Sequence, residues 1–495
     1  MLTQLYRPPL ALLTDLYQLT MAYGYWKLGR AEQQAVFHLF FRKAPFQGGY
    51  AIAAGLEQAV DYMNGYRFEP SDLEYLALLT GNDGERLFED AFLEYLGNLK
   101  LSVEVDAMPE GTAVFGQEPI LRVRGPILQC QLLETPLLNI VNFQTLIATK
   151  AARISAAAGN DPVLEFGLRR AQGIDGGLSA SRAAYIGGCA ATSNVLAGKL
   201  FGIPVKGTHA HSWVMSFDTE QEAFEQYAAV LPNNCVFLVD TYDTLDGVRL
   251  AAEVGKKLRQ QGHEMVGIRL DSGDLAYLSI EARKILDEAG FPNAAIVASN
   301  DLDERIIENL KIQGAKIAVW GVGTKLATSH DQPALGGVYK LAAIQDEAGN
   351  WQPKVKLSEQ AIKTSIPGTL QVRRFEGPDG FIGDMIYDET NGIDVREIIV
   401  DAKDPTRRKR LSSKAQAVDL LQTVMQEGKR LADAEPLDKI RERALQQLSR
   451  IHPTIRRFMN PHEYPVGLDI GLHELRDQMI HDIRDKRLVD SVGDA

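Results

Sequence analysis

From about Asp161 onward the sequence repeats one pattern whose length leaves few folds open. A short apolar run ends in a polar or glycine-rich turn, and an amphipathic segment of helix length follows. "CVFLVDTYD" leads into "TLDGVRLAAEVGKKLRQQG", "MVGIRLDSGD" into "LAYLSIEARKILDEAG" and "AAIVASND" into "LDERIIENLKIQGA", and "KIAVWGVGT" closes the series. The polar residues at the run ends, His211, Asp240, Asp271 and Asn300, stand 29, 31 and 29 positions apart. That is the span of one strand-loop-helix unit, and consecutive units of this kind make a parallel sheet. An upstream unit, "PVLEFGLRRAQGIDGG" followed by "LSASRAAYIGGCAATSNVLAGKL", fits with a longer loop; "GIPVKGT" makes a sixth strand and "GGVYKLAAI" offers another. No run is followed by GxGxxG with an acidic residue beyond it, so a closed or irregular β/α barrel is preferred to an open doubly wound sheet.

The flanks read differently. Before about Leu133, "AVFHLFFRKAPFQGGYAIAAGL" and "LSVEVDAMPEGTAVF" suggest a separate α+β domain. After about Asp346, "GNWQPKVKLSE", "TLQVRRFEGPDGFIGDMIY" and "GIDVREIIV" read as hairpin strands, with helices from about Ser413. The expected domains are therefore 1–133, 134–346 and 347–495, the last packing on the first. A net charge of −12 argues against nucleic acid or an anionic membrane as partner. The cysteines, Cys130, Cys189 and Cys235, have neither metal-ligand nor CxxC spacing, as for reduced thiols in the cytoplasm, and no tightly bound transition metal is expected. No run approaches the roughly 18 apolar residues of a membrane span. The basic run "KDPTRRKRL", Lys403 to Leu411, reads as a solvated loop and is assigned no function.

A barrel carries its chemistry on the loops after its strands, which places Arg169, Thr208, His211, Asp240, Arg269, Asp271 and Gly323 around one mouth. In "GTHAHS", His209 and His211 could begin a metal site, could include a catalytic imidazole, or could be polar loop residues; the preceding Gly-Thr turn favours a loop or a helix start. "RLDSGDL" sets an arginine fork beside two aspartates, suited to a carboxylate or phosphate and to sugar hydroxyls or hydrated magnesium. Its structural alternative is a helix cap by Asp271 or Ser272, with Arg269 paired to a neighbouring acid. "WGVGTKL" exposes backbone N–H groups beside Thr324 and Lys325 and could cradle a phosphate, or merely tighten a strand exit. Arg169 and Arg170 read alone as a solvated pair or as a pyrophosphate clamp. Together these parts suit a sugar-phosphate or pyrophosphate substrate with magnesium.

These segments, in order and with "LLTDLYQLTMAYGYW", "FHLFFRKAPFQGGYAIAAGL" and "GGVYKL", resemble the nicotinate phosphoribosyltransferase family over most of the chain. The resemblance implies an N-terminal α+β domain joined to an irregular, incomplete β/α barrel of the type II phosphoribosyltransferase kind, with a C-terminal hairpin and helical extension. It implies ATP-driven condensation of nicotinate with phosphoribosyl pyrophosphate to nicotinate mononucleotide, with ADP, phosphate and pyrophosphate as the other products, in NAD biosynthesis. The histidine of the family's "GTxAHS" segment, transiently phosphorylated by ATP, falls on His211, and His209 falls on the variable position and reads as incidental. By the same resemblance Tyr17 stacks on the pyridine ring, Thr208 lies beside the base and Arg269 holds the carboxylate. Gly323 and Thr324 grip the phosphoribosyl phosphate, Arg169 contacts pyrophosphate or carboxylate, and Asp240 and Asp271 meet ribose hydroxyls or hydrated Mg2+. A homodimer is implied in which the domain of Tyr17 completes the neighbour's site. The rival readings are a nicotinamide-specific relative, a metal-dependent barrel hydrolase using both histidines, and a metabolite-binding protein without catalysis.

Overall fold

A computed structural model of the chain describes residues 9–360, 363–411 and 415–493. The chain divides into two compact units, one of Met1–Thr145 with Ala334–Ala495 and one of Leu146–Pro333.

The second unit is the repeat. Its strands are β1 (Val163–Glu165), β2 (Ala191–Thr192), β3 (Val236–Leu238), β4 (Gly267–Leu270), β5 (Ala295–Ala298) and β6 (Val319–Val322), hydrogen-bonded in the order β2-β1-β6-β5-β4-β3. Every pairing is parallel. The strands are short and nearly all buried because helices return the chain between them. Aspartates start three of these helices by accepting backbone N–H groups of the first turn: Asp243 before Thr244–Gln260, Asp274 before Leu275–Glu288 and Asp303 before Glu304–Ile312. The cap in "RLDSGDL" is thus Asp274, which leaves Asp271 and Ser272 for other contacts.

Two expectations for this unit need correction. "GIPVKGT" forms no extended strand: Val205 makes a single bridge to Thr192. The strand beside β1 is instead Ala191–Thr192, inside a segment read as helical; Gly187 and Gly188 end the helix Ile174–Ile186, and Asn194 starts the next by accepting from Ala197 N. Two residues are too few for an alternation to register.

The first unit is α+β, built on sheets that are largely antiparallel. Its seven-stranded sheet runs Trp351–Pro353, Gly337–Gln345, Gln34–Phe41, Leu121–Pro126, Glu104–Ala107, Gln422–Gln426 and Lys429–Arg430. "GGVYKLAAI" therefore belongs here and not to the parallel sheet: Phe41 pairs with Gly337 and Phe37 with Leu341. A strand's apolar pattern sets its period but not its partner. The hairpin Leu370–Gly377 and Gly380–Asp388 forms as read, in a second sheet with Ile398–Val400 and Val466–Asp469. Ser413 lies outside the described residues, and the segment after it is strand, Gln416–Asp419 and Gln422–Gln426; the first helix there is Leu437–Arg450. Among the described residues no helix is long and apolar enough to cross a membrane.

Candidate active site

Five of the singled-out residues meet at the carboxyl ends of β3 and β4, four through hydrogen bonds and His211 through a longer contact to Asp271. Arg269, on β4, has a side chain 14% exposed and spends its donors on four groups. Its Nε donates to Ser299 Oγ at 3.1 Å, Nη1 to Thr208 Oγ1 at 2.6 Å and to His209 O at 3.4 Å, and Nη2 to Asp271 Oδ1 at 3.4 Å. Burial opposes ionisation of Asp271, but the Ser299 hydroxyl, Arg269 and His211 outweigh it and hold its carboxyl below the usual carboxylate range. Asp240, after β3, ties the two loops together: its Oδ2 accepts from Asp271 N at 2.9 Å and from Ser272 Oγ at 2.7 Å. Its Oδ1 is buried without a hydrogen-bond partner.

His211 opens the short helix His211–Val214, with Ala210 in extended conformation before it. Its Nδ1 lies 3.1 Å from Thr241 Oγ1 and its Nε2 lies 3.7 Å from Asp271 Oδ2, with the side chain 39% exposed. The imidazole is thus held at one nitrogen and open at the other, and Asp271 stands between it and Arg269. His209 points elsewhere. Its ring is buried against Tyr227 and Phe224, and Nε2 accepts from Leu238 N at 3.2 Å. The two histidines share no face on which a metal would bridge them, and His209 is a buried, bonded side chain.

On the neighbouring strands β6 and β1, two tight turns pack back to back. A Cβ on Gly323 would stand 3.0 Å from Phe166 O, and one on Gly167 would stand 2.9 Å from Gly323 O and 2.4 Å from the Ala327 Cβ. Larger residues would force the turns apart. Glu165 secures the first turn from beneath: it accepts from Thr192 Oγ1 at 2.6 Å, from Ser181 Oγ at 2.9 Å and from Gly167 N. Arg169 and Arg170 emerge exposed from this turn. Thr324 follows Gly323, while Lys325 is turned to Asp303 at 2.7 Å. Gly321 links the clusters, since a Cβ there would touch the Ser299 Cβ at 3.4 Å. Tyr17 lies in the first unit, on the helix Leu16–Lys27, and is half exposed.

Sequence reasoning passed over several of these groups. Ser299 sits one position before the Asn300 read as the run's end, Thr241 follows an aspartate that drew attention first, and Ser272 was read only as a possible cap. Glu220 carries no motif, yet burial and then Asp240, Asp243 and Asp246 push its carboxyl up to about 7. The basic run is not simply solvated: Lys403, Arg407 and Lys409 line a first-unit cavity of about 840 Å³ together with Arg42, Lys43 and His462.

An imidazole, an arginine fork and carboxylates gathered where parallel strands end make a candidate active site of the kind α/β enzymes carry there. Models of the nicotinate phosphoribosyltransferase N-terminal domain, family and C-terminal domain match residues 12–142, 163–400 and 371–476. The nicotinate phosphoribosyltransferase of Bacillus subtilis (strain 168) is 45% identical over 486 residues, which cover 96% of each chain. Its counterpart from Homo sapiens is 38% identical, over 94% of this chain and 95% of that one. The crystal structure of human nicotinic acid phosphoribosyltransferase superposes with a TM-score of 0.81 at 35% identity, covering 94% of this chain and 99% of that one. A nicotinate-nucleotide pyrophosphorylase from Pyrococcus furiosus shares the fold, with a TM-score of 0.69 at 22% identity over 90% of this chain and 98% of that one. The chain belongs to the nicotinate phosphoribosyltransferase family.

Proposed function

We propose that the protein condenses nicotinate with phosphoribosyl pyrophosphate to nicotinate mononucleotide in NAD biosynthesis, coupled to ATP through a transient phosphohistidine on His211. The observation that carries this reading is the position of Asp271, which touches both Arg269 at 3.4 Å and His211 at 3.7 Å. A group that grips a carboxylate and a group able to accept a phosphoryl unit are thereby joined through one side chain.

In the tautomer that donates Nδ1–H to Thr241, His211 presents Nε2 as the nucleophile. Nε2 attacks the γ-phosphorus of ATP, the bond to the β-phosphate oxygen breaks and ADP leaves. Transfer of the phosphoryl group from the phosphoramidate to water later releases phosphate. In the ribosyl step the nicotinate ring nitrogen bonds to the sugar carbon as the bond to pyrophosphate breaks, through an oxocarbenium-like centre. Positioning and charge supply most of this catalysis. Arg269 and Thr208 hold the base, Gly323 and Thr324 the 5′-phosphate, and Arg169 the pyrophosphate or the carboxylate. The donor set suits Mg2+: Asp240 Oδ1 is a hard, buried oxygen without a partner, so Asp240 and Asp271 would hold the ion, largely through water. Bound there, the ion would neutralise charge on departing pyrophosphate.

The protein should act as a homodimer in which the unit bearing Tyr17 completes the partner's site. Leu13, Leu16, Tyr17 and Met21 support this, being large apolar residues left 40–53% exposed on one segment. The cation-lined cavity of the same unit, suited to a polyphosphate, supports it too. Sedimentation should show a dimer, with a monomeric, poorly active Met21→Asp variant; a monomeric wild type at full turnover would remove the proposal. A cytoplasmic location fits three cysteines that are all free thiols.

The direct test mixes enzyme, nicotinate, phosphoribosyl pyrophosphate and magnesium, with and without ATP. Mononucleotide should form, faster or further with ATP. Nicotinamide in its place should turn over poorly; equal use of both would favour a broader pyridine specificity, and binding without product would leave only a metabolite-binding protein.

A further inference from the structure

Among the described residues the parallel sheet ends in β2 on one side and in β3 on the other. Beyond β2, Val205 makes its bridge to Thr192; at the other end β3 has β4 as its strand partner. Among the described residues no strand pairing joins these edges. At either end of β3, Cys235 O accepts from Gly267 N and Val239 N donates to Arg269 O, both at 3.2 Å, so alternation turns the intervening Leu238 amide away from β4.

His209, four residues after Val205, covers that amide: Leu238 N donates to its Nε2 at 3.2 Å. To accept this bond Nε2 must be unprotonated, which puts the ring proton on Nδ1, 3.4 Å from Ala210 O. The ring is 8% exposed, its centroid 4.8 Å from that of Tyr227 and 6.2 Å from that of Phe224. Burial first, with Arg269 and His211 adding to it, pushes its pKa down to about 4 against the raising effect of the Ala210 carbonyl, in keeping with a neutral ring. The same residue faces the site through its backbone, where its carbonyl accepts from Arg269 Nη1 at 3.4 Å beside the 2.6 Å bond to Thr208 Oγ1. His211 follows two residues later.

We propose that His209 is a positioning residue, which closes the unpaired sheet edge through its Nε2 and so sets the Thr208–His211 segment against the Arg269 fork. This rests on the reading that Arg269 holds the nicotinate carboxylate. The position demands a neutral acceptor at the place of Nε2. Glutamine reaches it with Oε1; asparagine falls one bond short; phenylalanine fills the space but leaves the Leu238 N–H unpaired.

The test compares wild type with His209→Phe, His209→Gln, His209→Asn and Arg269→Ala, measuring KM for each substrate, kcat and hydrogen exchange at the Leu238 amide. His209→Phe should raise the nicotinate KM by about tenfold or more, because the Thr208–His211 segment shifts away from Arg269 once the Leu238 N–H is left unpaired. The KM for phosphoribosyl pyrophosphate should stay within about twofold, kcat should change less than the nicotinate KM, and Leu238 should exchange faster. His209→Gln should recover most of the nicotinate KM and the protection. Unchanged nicotinate KM and Leu238 exchange in His209→Phe would overturn the inference, as would Gln performing no better than Phe. Should His209→Phe not fold, Gln against Asn makes the same comparison, and equality between them overturns it. If Arg269→Ala leaves the nicotinate KM untouched, the carboxylate role fails, and Leu238 exchange still decides whether His209 closes the edge.

Discussion

His211→Ala is expected to lose nicotinate-stimulated ATP hydrolysis by at least about 10³-fold, the scale on which removal of a nucleophile is felt. Mononucleotide synthesis without ATP should persist at its basal rate. Two roles that a single rate would blur are thereby separated, since the groups proposed for the ribosyl step, Arg269, Thr208 and the Gly323 turn, stay in place. The fold should survive because the side chain is 39% exposed and its removal opens no core cavity. His211→Asn is the stricter control: it keeps a short polar group opposite Thr241 but has no nucleophilic nitrogen. Label from γ-labelled ATP should be trapped as a phosphoramidate, labile to acid and stable to base. An acyl phosphate on Asp240 or Asp271 would show the opposite lability. Full ATP coupling in His211→Ala, or base-labile label, would take the phosphoryl group away from this imidazole.

How far the site is legible in the sequence depends on whether its signals are local. Asp240 and Asp271 were found from spacing alone because these repeat units have nearly the same length and the strands β3 to β6 are only three or four residues long. A polar residue just after an apolar run then falls at the strand's carboxyl end. The same rule misplaced the end of β5 by one residue. The strand stops at Ala298, and Ser299, which bonds Arg269, is the group that enters the site, while Asn300 is exposed with φ 123°. One position reverses the facing of a side chain in extended chain. The role of His209 had no local signal: its partner Leu238 lies 29 residues on, and only the fold makes them neighbours. Long-range pairing also hid the true partner of Gly337–Gln345, and a two-residue strand gave β2 no period to detect. The cations around the first unit's cavity come from segments some 360 positions apart, Arg42 with Lys43 and Lys403 onward, so neither looked like half of a site.

Arg269→Ala should separate the two substrates of the ribosyl step. The guanidinium is held at three corners, by Ser299, by Thr208 with His209 O, and by Asp271, so its plane is set before any ligand arrives. The long 3.4 Å contact to Asp271 is the weakest of these side-chain contacts and the easiest for an incoming carboxylate to displace. Losing one member of a largely buried, hydrogen-bonded charge pair costs about 2–5 kcal/mol. The nicotinate KM should therefore rise by roughly 30-fold to several thousandfold, while the KM for phosphoribosyl pyrophosphate moves only a few-fold. Neutral nicotinamide makes no use of the charge, so its poor turnover should change little and the preference for nicotinate should collapse. Arg269→Lys should fall nearer alanine than wild type, because an ammonium keeps the charge but not the planar fork. Equal increases in both KM values would mean that Arg269 shapes the whole pocket without reading the carboxylate, and the specificity would then have to come from Arg169.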